Sequence, residues 1–572
     1  MKKIISTALA AILSLGCVAM VGCGGGSGDV DENGNNGAQV VNDEKTINLR
    51  LYKAGFGDAF IYELKKNFEE VYKEEGYKIN VLTPTYGSAG TPMVQEMSRG
   101  YDKTGVDLYI TGAITPNMVS EFGEYGLVCE ELEETVWNQP AINYDGTYSE
   151  TNISDRILSD YEPFLRADNG KMYGFNWAQT TAGLVVNTKK LSAYGVTELP
   201  RTTNELFDVF DKILYGVEGL IGGSEETKTY PVTYTLKSGV GGGAGYQDCA
   251  MLSWFSQYDI DTYNEFLRMQ HKTEDGWVDM EEGYKVFENE SLLKSLTAGF
   301  EFMDMEYSAY GSKTQTLDQA QGLLMKEAGR KQNNAVFMLN GDWFLNEVKA
   351  NYSKYLHDIT FMNVPVISSL GIDVFGAGTS YNLSDEACDE LLSYICKLVD
   401  ENKTIEEIIA SVKTEKGIDL TQEDAQRIAT ARGVGFARGI EHLAFMTKDT
   451  TKKHIASLVL RMMASDDFAE TFMVKANASS PYTKDVQAVS EYKFVNDAQK
   501  ITSNIHYRAV NSRMQGVRFK AMRTDAFILG TNNLALTLYD KNEKDSYADA
   551  AKKLFDACNA KALAAWNEYI KD

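Results

Sequence analysis

The side chains of this chain best suited to chemistry are aromatic rings set beside amides and carboxylates in a few short, loop-like stretches. Tyr86-Gly87-Ser88 follows an extended apolar run, and Asn176-Trp177 precedes another. Gly241-Gly242-Gly243-Ala244-Gly245-Tyr246 leads into Trp254-Phe255-Ser256-Gln257-Tyr258, and Asn340-Gly341-Asp342-Trp343 follows the apolar run Ala335 to Leu339. A Trp or Tyr ring beside Asn, Asp or Gln suits a ligand with a flat apolar face and a rim of hydroxyls, which is the chemistry of a sugar ring. The same rings are also ordinary core material, so for any one of them both readings stand.

Other chemistry finds less support. The sequence contains no GxxxxGK[ST], HExxH or GxSxG. The five histidines, at 271, 357, 442, 454 and 506, show no ligand-like spacing, so no metal is expected. Gly239 to Ala244 matches GxGxxA, with Asp259 placed as a dinucleotide site would want, but it lies mid-chain and such loops are commonly just loops. With 81 acidic residues a hydrolytic carboxylate pair is conceivable, yet nothing in the spacing selects one. The expectation is a binding protein with no catalytic residues and no cofactor.

The elements that must position these residues alternate in type. Thr46 to Tyr52 alternates as a strand does, and Leu64, Phe68 and Val71 then recur at helical spacing. Tyr77 to Leu82 returns to strand and is expected to end at Thr83-Pro84; Val106 to Ile110 and Gly183 to Asn187 predict further strands. Thr202-Thr203-Asn204-Glu205 has the spacing of a capping box, with Leu206, Val209, Phe210, Ile213 and Leu214 on one helical face behind it. This rhythm predicts α/β architecture with mainly parallel sheets flanked by helices, in which loops at the carboxyl ends of strands line the ligand crevice.

At 572 residues the chain is long enough for two to four domain-sized units. A net charge of −25 disfavours nucleic acid and anionic membrane surfaces as partners. The start is different in kind: Lys2 and Lys3, an apolar run from Ile4 to Val21, then Gly22-Cys23 and a glycine-rich tail. This reads as an export signal, because the apolar run is too brief to span a bilayer comfortably. Met20-Val21-Gly22-Cys23 resembles a bacterial lipobox, which implies removal of residues 1–22 and a lipid anchor on Cys23, with Cys17 as the rival site. Residues 23–45 then form a flexible tether. Asp29 to Gly34 opens like a calcium loop, but position twelve is Val40 where a glutamate is required, so it reads as tether. The remaining cysteines, at 129, 249, 388, 396 and 558, have no close pair and are expected as buried free thiols.

Tyr173-Gly174-Phe175-Asn176-Trp177, Gly183-Leu184-Val185-Val186-Asn187-Thr188 and Pro200-Arg201-Thr202-Thr203-Asn204-Glu205-Leu206 occur in an order that resembles the extracellular solute-binding proteins of bacterial carbohydrate ABC importers. Gln319-Ala320-Gln321 before Ala335 to Trp343, and Ile455 to Met473 before Ala478-Ser479-Ser480-Pro481, resemble the same family. The pattern departs from the family at Asn176-Trp177, where a proline region is usual.

The resemblance implies a two-lobed periplasmic-binding-protein-like fold with hinge strands and ligand held between the lobes. Mapped by motif, lobe one is 46–177 and 379–480, lobe two is 181–375 and 482–572, and 402–449 is an unmatched insertion with basic residues Arg427, Arg432 and Arg438. The resemblance places Asp58, Tyr86 and Trp177 on the lobe-one side of the ligand and Tyr246, Trp254, Asn340, Asp342 and Trp343 on the lobe-two side. Trp343 and Trp254 would stack on the sugar; Asp342, Asp58 and Asn340 would bond its hydroxyls. The implied partners are a carbohydrate and the permease subunits of an ABC transporter, with the protein a monomer held at the membrane by its lipid. A surface lipoprotein that processes glycans or acts as an adhesin is the alternative.

Overall fold

Eleven strands build the two main sheets, and nearly all of their described side chains are buried. In chain order they are β1 (Thr46–Tyr52), β2 (Lys78–Thr85), β3 (Leu108–Ile110), β4 (Phe175–Asn176), β5 (Thr181–Asn187) and β6 (Thr229–Thr233). There follow β7 (Asn334–Gly341), β8 (Ile359–Met362), β9 (Val434–Ala437), β10 (Leu443–Met446) and β11 (Tyr507–Val510). The structure, a computed structural model, describes residues 39–570 apart from 54, 86–90, 113, 121–125, 158–164, 168, 216–227, 237–246, 275, 309–312, 327–332, 438–441, 483–488, 506, 511–531 and 542.

The first sheet runs β2-β1-β3-β10-β4, and the second runs β11-β9-β5-β7-β6 with β8 sharing the edge of β5 beside β9. Helices cover both, so β5 and β7 are buried along their whole length.

The sheets are more mixed than the strand-helix rhythm predicts. β1 is parallel to β2 and β3, but β10 is antiparallel to β3 and β4. In the second sheet β5 is antiparallel to β7, β8 and β9. The cause is the connectivity. β5 and β10 each arrive directly from the other sheet through a short link, so the crossover helix that makes neighbours parallel is missing there.

Local signals are largely realised. Leu64 and Phe68 bury one face of the helix Ala59–Val71, and Leu206, Phe210 and Ile213 do so in the helix Thr203–Tyr215. Thr202 caps as its position predicts, accepting from the Glu205 N–H at 3.2 Å, while the Glu205 carboxylate reaches back to the Arg201 N–H at 2.6 Å. β2 does not stop at Pro84. It is the edge strand, where a missing N–H costs no ladder bond, and the register slips between Arg50 and Tyr52 to admit one extra residue. Asp259 turns out to be a helix cap, accepting from the N–H groups of Asp261 and Thr262; the glycines before it lie outside the described residues. All five cysteines from Cys129 onward are buried and unbridged.

The chain passes between the sheets three times, after β4, after β9 and after Ala476, and this redraws one boundary. The motif mapping gave 379–480 to the first lobe. In the structure the helices Asp385–Asp400, Ile405–Lys416 and Gln422–Arg432 pack in series onto Gln247–Tyr258 of the second lobe, and β9 pairs with β5. The chain re-enters the first sheet only at β10. The segment 402–449 is therefore a helical hairpin followed by one strand in each sheet. Ile408, Val412, Ala425 and Ile428 seat the hairpin. Arg432 is no part of a basic surface, since it is half-buried with its guanidinium on Asp400 at 2.8 and 2.9 Å.

A buried ion pair locks the first sheet. Asp107, at the start of β3, accepts from the Asn48 N–H (2.8 Å), the Thr450 hydroxyl (2.6 Å) and the Lys452 ammonium (2.9 Å). Lys452 also donates to the Thr46 carbonyl at 2.6 Å. Charge and hydrogen bonds together offset the desolvation of both groups.

Candidate functional site

The two lobes meet where β7 ends. Gly341-Asp342-Trp343 turns the chain from β7 into the helix Phe344–Tyr352, and Asp342 fastens that turn to the first crossing. Its N–H donates to the Thr181 carbonyl at 3.0 Å, and its Oδ2 accepts from the Thr181 N–H at 3.3 Å. Asp342 Oδ1 is buried with no hydrogen-bond partner among the described residues. Burial pushes this carboxyl up to about 8, against the pull of the backbone N–H groups of Thr181, Asp342 and Trp343.

Asn340, fully buried, accepts from the Gly341 N–H at 2.7 Å through its Oδ1, and its amide donates to the Glu347 carboxylate. Thr180 Oγ1, next to Thr181, is buried without a partner among the described residues, as Asp342 Oδ1 is. Buried polar groups are nearly always bonded, so two such atoms on adjoining segments mark a place where the fold gives up stability.

Trp343 is half-buried and lies between these groups and the other lobe. A β-carbon on Gly341 would fall 2.0 Å from its ring, so only glycine lets the ring fold back over the strand end. A β-carbon on Gly55 would sit 3.3 Å from Trp343 Cδ1, which brings the loop after β1 against the indole. Beyond that loop Asp58 stands at the start of the helix Ala59–Val71. Its side chain does not cap the helix but pairs with Lys53 at 3.0 Å, both groups largely buried. Further contacts join the lobes nearby: the Asn346 amide donates to the Ala476 carbonyl, Asn477 Nδ2 donates to Asn346 Oδ1 at 2.8 Å, and the Gln179 N–H donates to the Ser479 carbonyl at 2.9 Å.

One turn into the helix after Trp343, Glu347 accepts from the Trp343 indole and, at 2.7 Å, from the Gln321 amide of the helix Leu317–Met325. Burial pushes its carboxyl up to about 7 even though those donors, with the Asn340 amide facing it, favour the ionised form. Sequence reasoning missed Glu347 and Gln321 as site residues. The signal for Glu347 was its position four residues after Trp343 on a helix, the spacing at which side chains meet.

The other expected residues fall apart from this cluster. Trp177 is fully buried, stacked on Phe60 at 5.8 Å and edge-on to Phe56 at 5.3 Å, with its indole donating to the Thr111 carbonyl at 2.9 Å. Trp254 is 1% exposed, packs on Phe302 and donates to the Pro365 carbonyl at 3.0 Å. Neither offers a free ring face in this conformation. Tyr86, Tyr246 and Cys23 lie outside the described residues. Among the described residues no group of three His, Cys, Asp or Glu side chains is arranged to hold a metal, and no helix is long and apolar enough to cross a membrane.

Two α/β lobes joined by three crossings are a fold that this chain shares with solved structures. Among solved structures, apo RafE from Streptococcus pneumoniae matches with a TM-score of 0.52 and 13% identity, over 91% of this chain and 97% of that one. The solute receptor AcbH, described as exclusively preferring β-D-galactopyranose, matches with a TM-score of 0.50 and 12% identity over 90% and 99%. A chitin oligosaccharide binding protein matches with a TM-score of 0.50 and 11% identity over 90% and 99%. At such identities what is shared is the fold. No protein-family model and no curated protein matches the sequence.

Proposed function

We propose that this protein is a lipid-anchored extracellular receptor that captures a sugar or oligosaccharide between its lobes and delivers it to an ABC importer. The observation that carries this reading is the turn Asn340 to Trp343. It holds an aromatic ring against the opposite lobe, over buried polar atoms that lack partners. Sugar hydroxyls would supply the missing hydrogen bonds, and a pyranose face would replace Gly55 on the indole. The ligand enters as the lobes part at the crossings and favours closure by touching both.

In this reading Asn340, Asp342 and Asp58 bond hydroxyls and Trp343 stacks. Tyr86 and Tyr246 contribute from the flanking loops, and Trp177 and Trp254 hold the walls from behind. Lobe one comprises 46–177 and 443–480, and lobe two comprises 181–437 and 482–572. Residues 1–22 are the signal, Cys23 carries the lipid and the stretch up to about residue 38 tethers the receptor near its permease, a shorter tether than the expected 23–45 because Gln39 and Val41 hydrogen-bond to Asn80 and Asn48 of the first sheet. The fold resemblance to sugar receptors supports binding without catalysis.

Titration calorimetry against a panel of neutral mono- and oligosaccharides tests the claim. Saturable heat with at least one glycan is expected. Binding of peptides or anions alone would overturn the carbohydrate assignment, and release of reducing ends from the panel would overturn the receptor. Mass spectrometry of the membrane-extracted protein should find acyl mass on a peptide beginning at Cys23.

A further inference from the structure

We propose that Glu347 is a positioning residue that fixes the ring orientation of Trp343. An indole has one polar atom, a donor, and it is the only handle by which hydrogen bonding can set the ring's rotation. Trp343 stands at the helix boundary with Glu347 one turn ahead, and the carboxylate accepts that indole N–H. The carboxylate is itself anchored, because the Gln321 amide holds Glu347 Oε2 at 2.7 Å from a different helix. The ring is thus constrained by the strand backbone at Gly341, the opposite loop at Gly55 and a doubly bonded acceptor at its edge. The first two limit where the ring lies; only the third distinguishes one edge from the other.

The arrangement gives Glu347 a purpose that core packing does not. The buried face of this helix is formed by Phe344, Leu345 and Val348, and Glu347 stands half-buried beside it, facing the indole and the Gln321 amide. A ring held in advance also loses less freedom when a flat ligand settles on it. The affinity consequence rests on the receptor reading, whereas the orientation itself does not.

Two readouts separate them. In protein labelled with fluorotryptophan, the six tryptophans report individually by fluorine NMR, and Trp343→Phe assigns the Trp343 signal. Glu347→Gln, which keeps an acceptor, should leave that signal in place. Glu347→Leu should shift or split it while the signals of Trp137 and Trp254 stay put. Should Glu347→Leu fail to fold, Gln321→Met removes the carboxylate's second anchor and should move the same signal by less. An unmoved Trp343 signal in the folded variants would overturn the proposal. In calorimetry with the tightest-binding glycan, Glu347→Leu should lose about tenfold in affinity and Glu347→Gln about twofold or less. A shifted signal with no glycan bound by the wild type would uphold the positioning and sink the carbohydrate reading.

Discussion

Two buried polar clusters in this molecule are built from similar residues and differ in one respect. Around Asp107 the available lone pairs and protons are matched: the carboxylate takes a backbone amide, a hydroxyl and an ammonium, and Lys452 has a carbonyl besides. Around Asp342 the carboxyl has only backbone amides, and neither its Oδ1 nor Thr180 Oγ1 has a partner among the described residues. The first cluster joins strands within one lobe; the second lies where the lobes meet. A satisfied network stiffens a sheet, whereas an incompletely satisfied one leaves hydrogen-bonding capacity unused at a cost in stability.

The contrast can be broken from either side. Lys452→Met leaves Asp107 charged and unpaired in the core and should cost about 3–5 kcal/mol in urea unfolding, with no effect on ligand affinity in the surviving folded fraction. Trp254→Ala should lose stability on the same scale, about 3–5 kcal/mol, through the cavity it leaves.

Asp342→Asn should do the reverse. The Asp342 carboxyl is raised from 3.8 to about 8, so the folded state keeps a proton that the unfolded chain releases above about pH 4. Stability therefore falls as pH rises from about 4 to about 8, and asparagine abolishes that fall. The variant should be clearly more stable than wild type at pH 9 and nearly equal to it at pH 4, as followed by thermal melts across pH.

Trp343→Ala should leave melting nearly unchanged while weakening glycan binding by about 1–2 kcal/mol. An unchanged affinity would assign Trp343 to the fold alone. The smallest effect is expected of Gly341→Ala, which touches no polar atom but forces the indole off the strand end. Affinity should drop by about 0.5–1 kcal/mol, measured by the same calorimetry.

Much of this was legible in the chain. Strand alternation, the Thr202 cap and the apolar faces at Leu64 and Leu206 are local signals, and they appear where spacing puts them. The turn Asn340 to Trp343 was legible too, because polar residues ending an apolar strand are anomalous by themselves. Strand direction was not, since nothing in Thr181–Asn187 records that the chain has just come from another sheet. Nor was the fate of each tryptophan. Trp177 and Trp343 both follow strands beside polar residues, and only tertiary neighbours, Phe60 for one and Gly55 for the other, decide which ring is enclosed. The side of the hinge taken by 385–432 was hidden for a similar reason, because an amphipathic helix shows that it packs but not on what.

The Asp107 cluster also bears on how the chain acquires its shape. Thr46 and Asp107 wait for Lys452 and Thr450, partners 406 and 343 residues further along. The first lobe cannot be completed until most of the polypeptide has been synthesised, and contacts of such long sequence separation make folding slow.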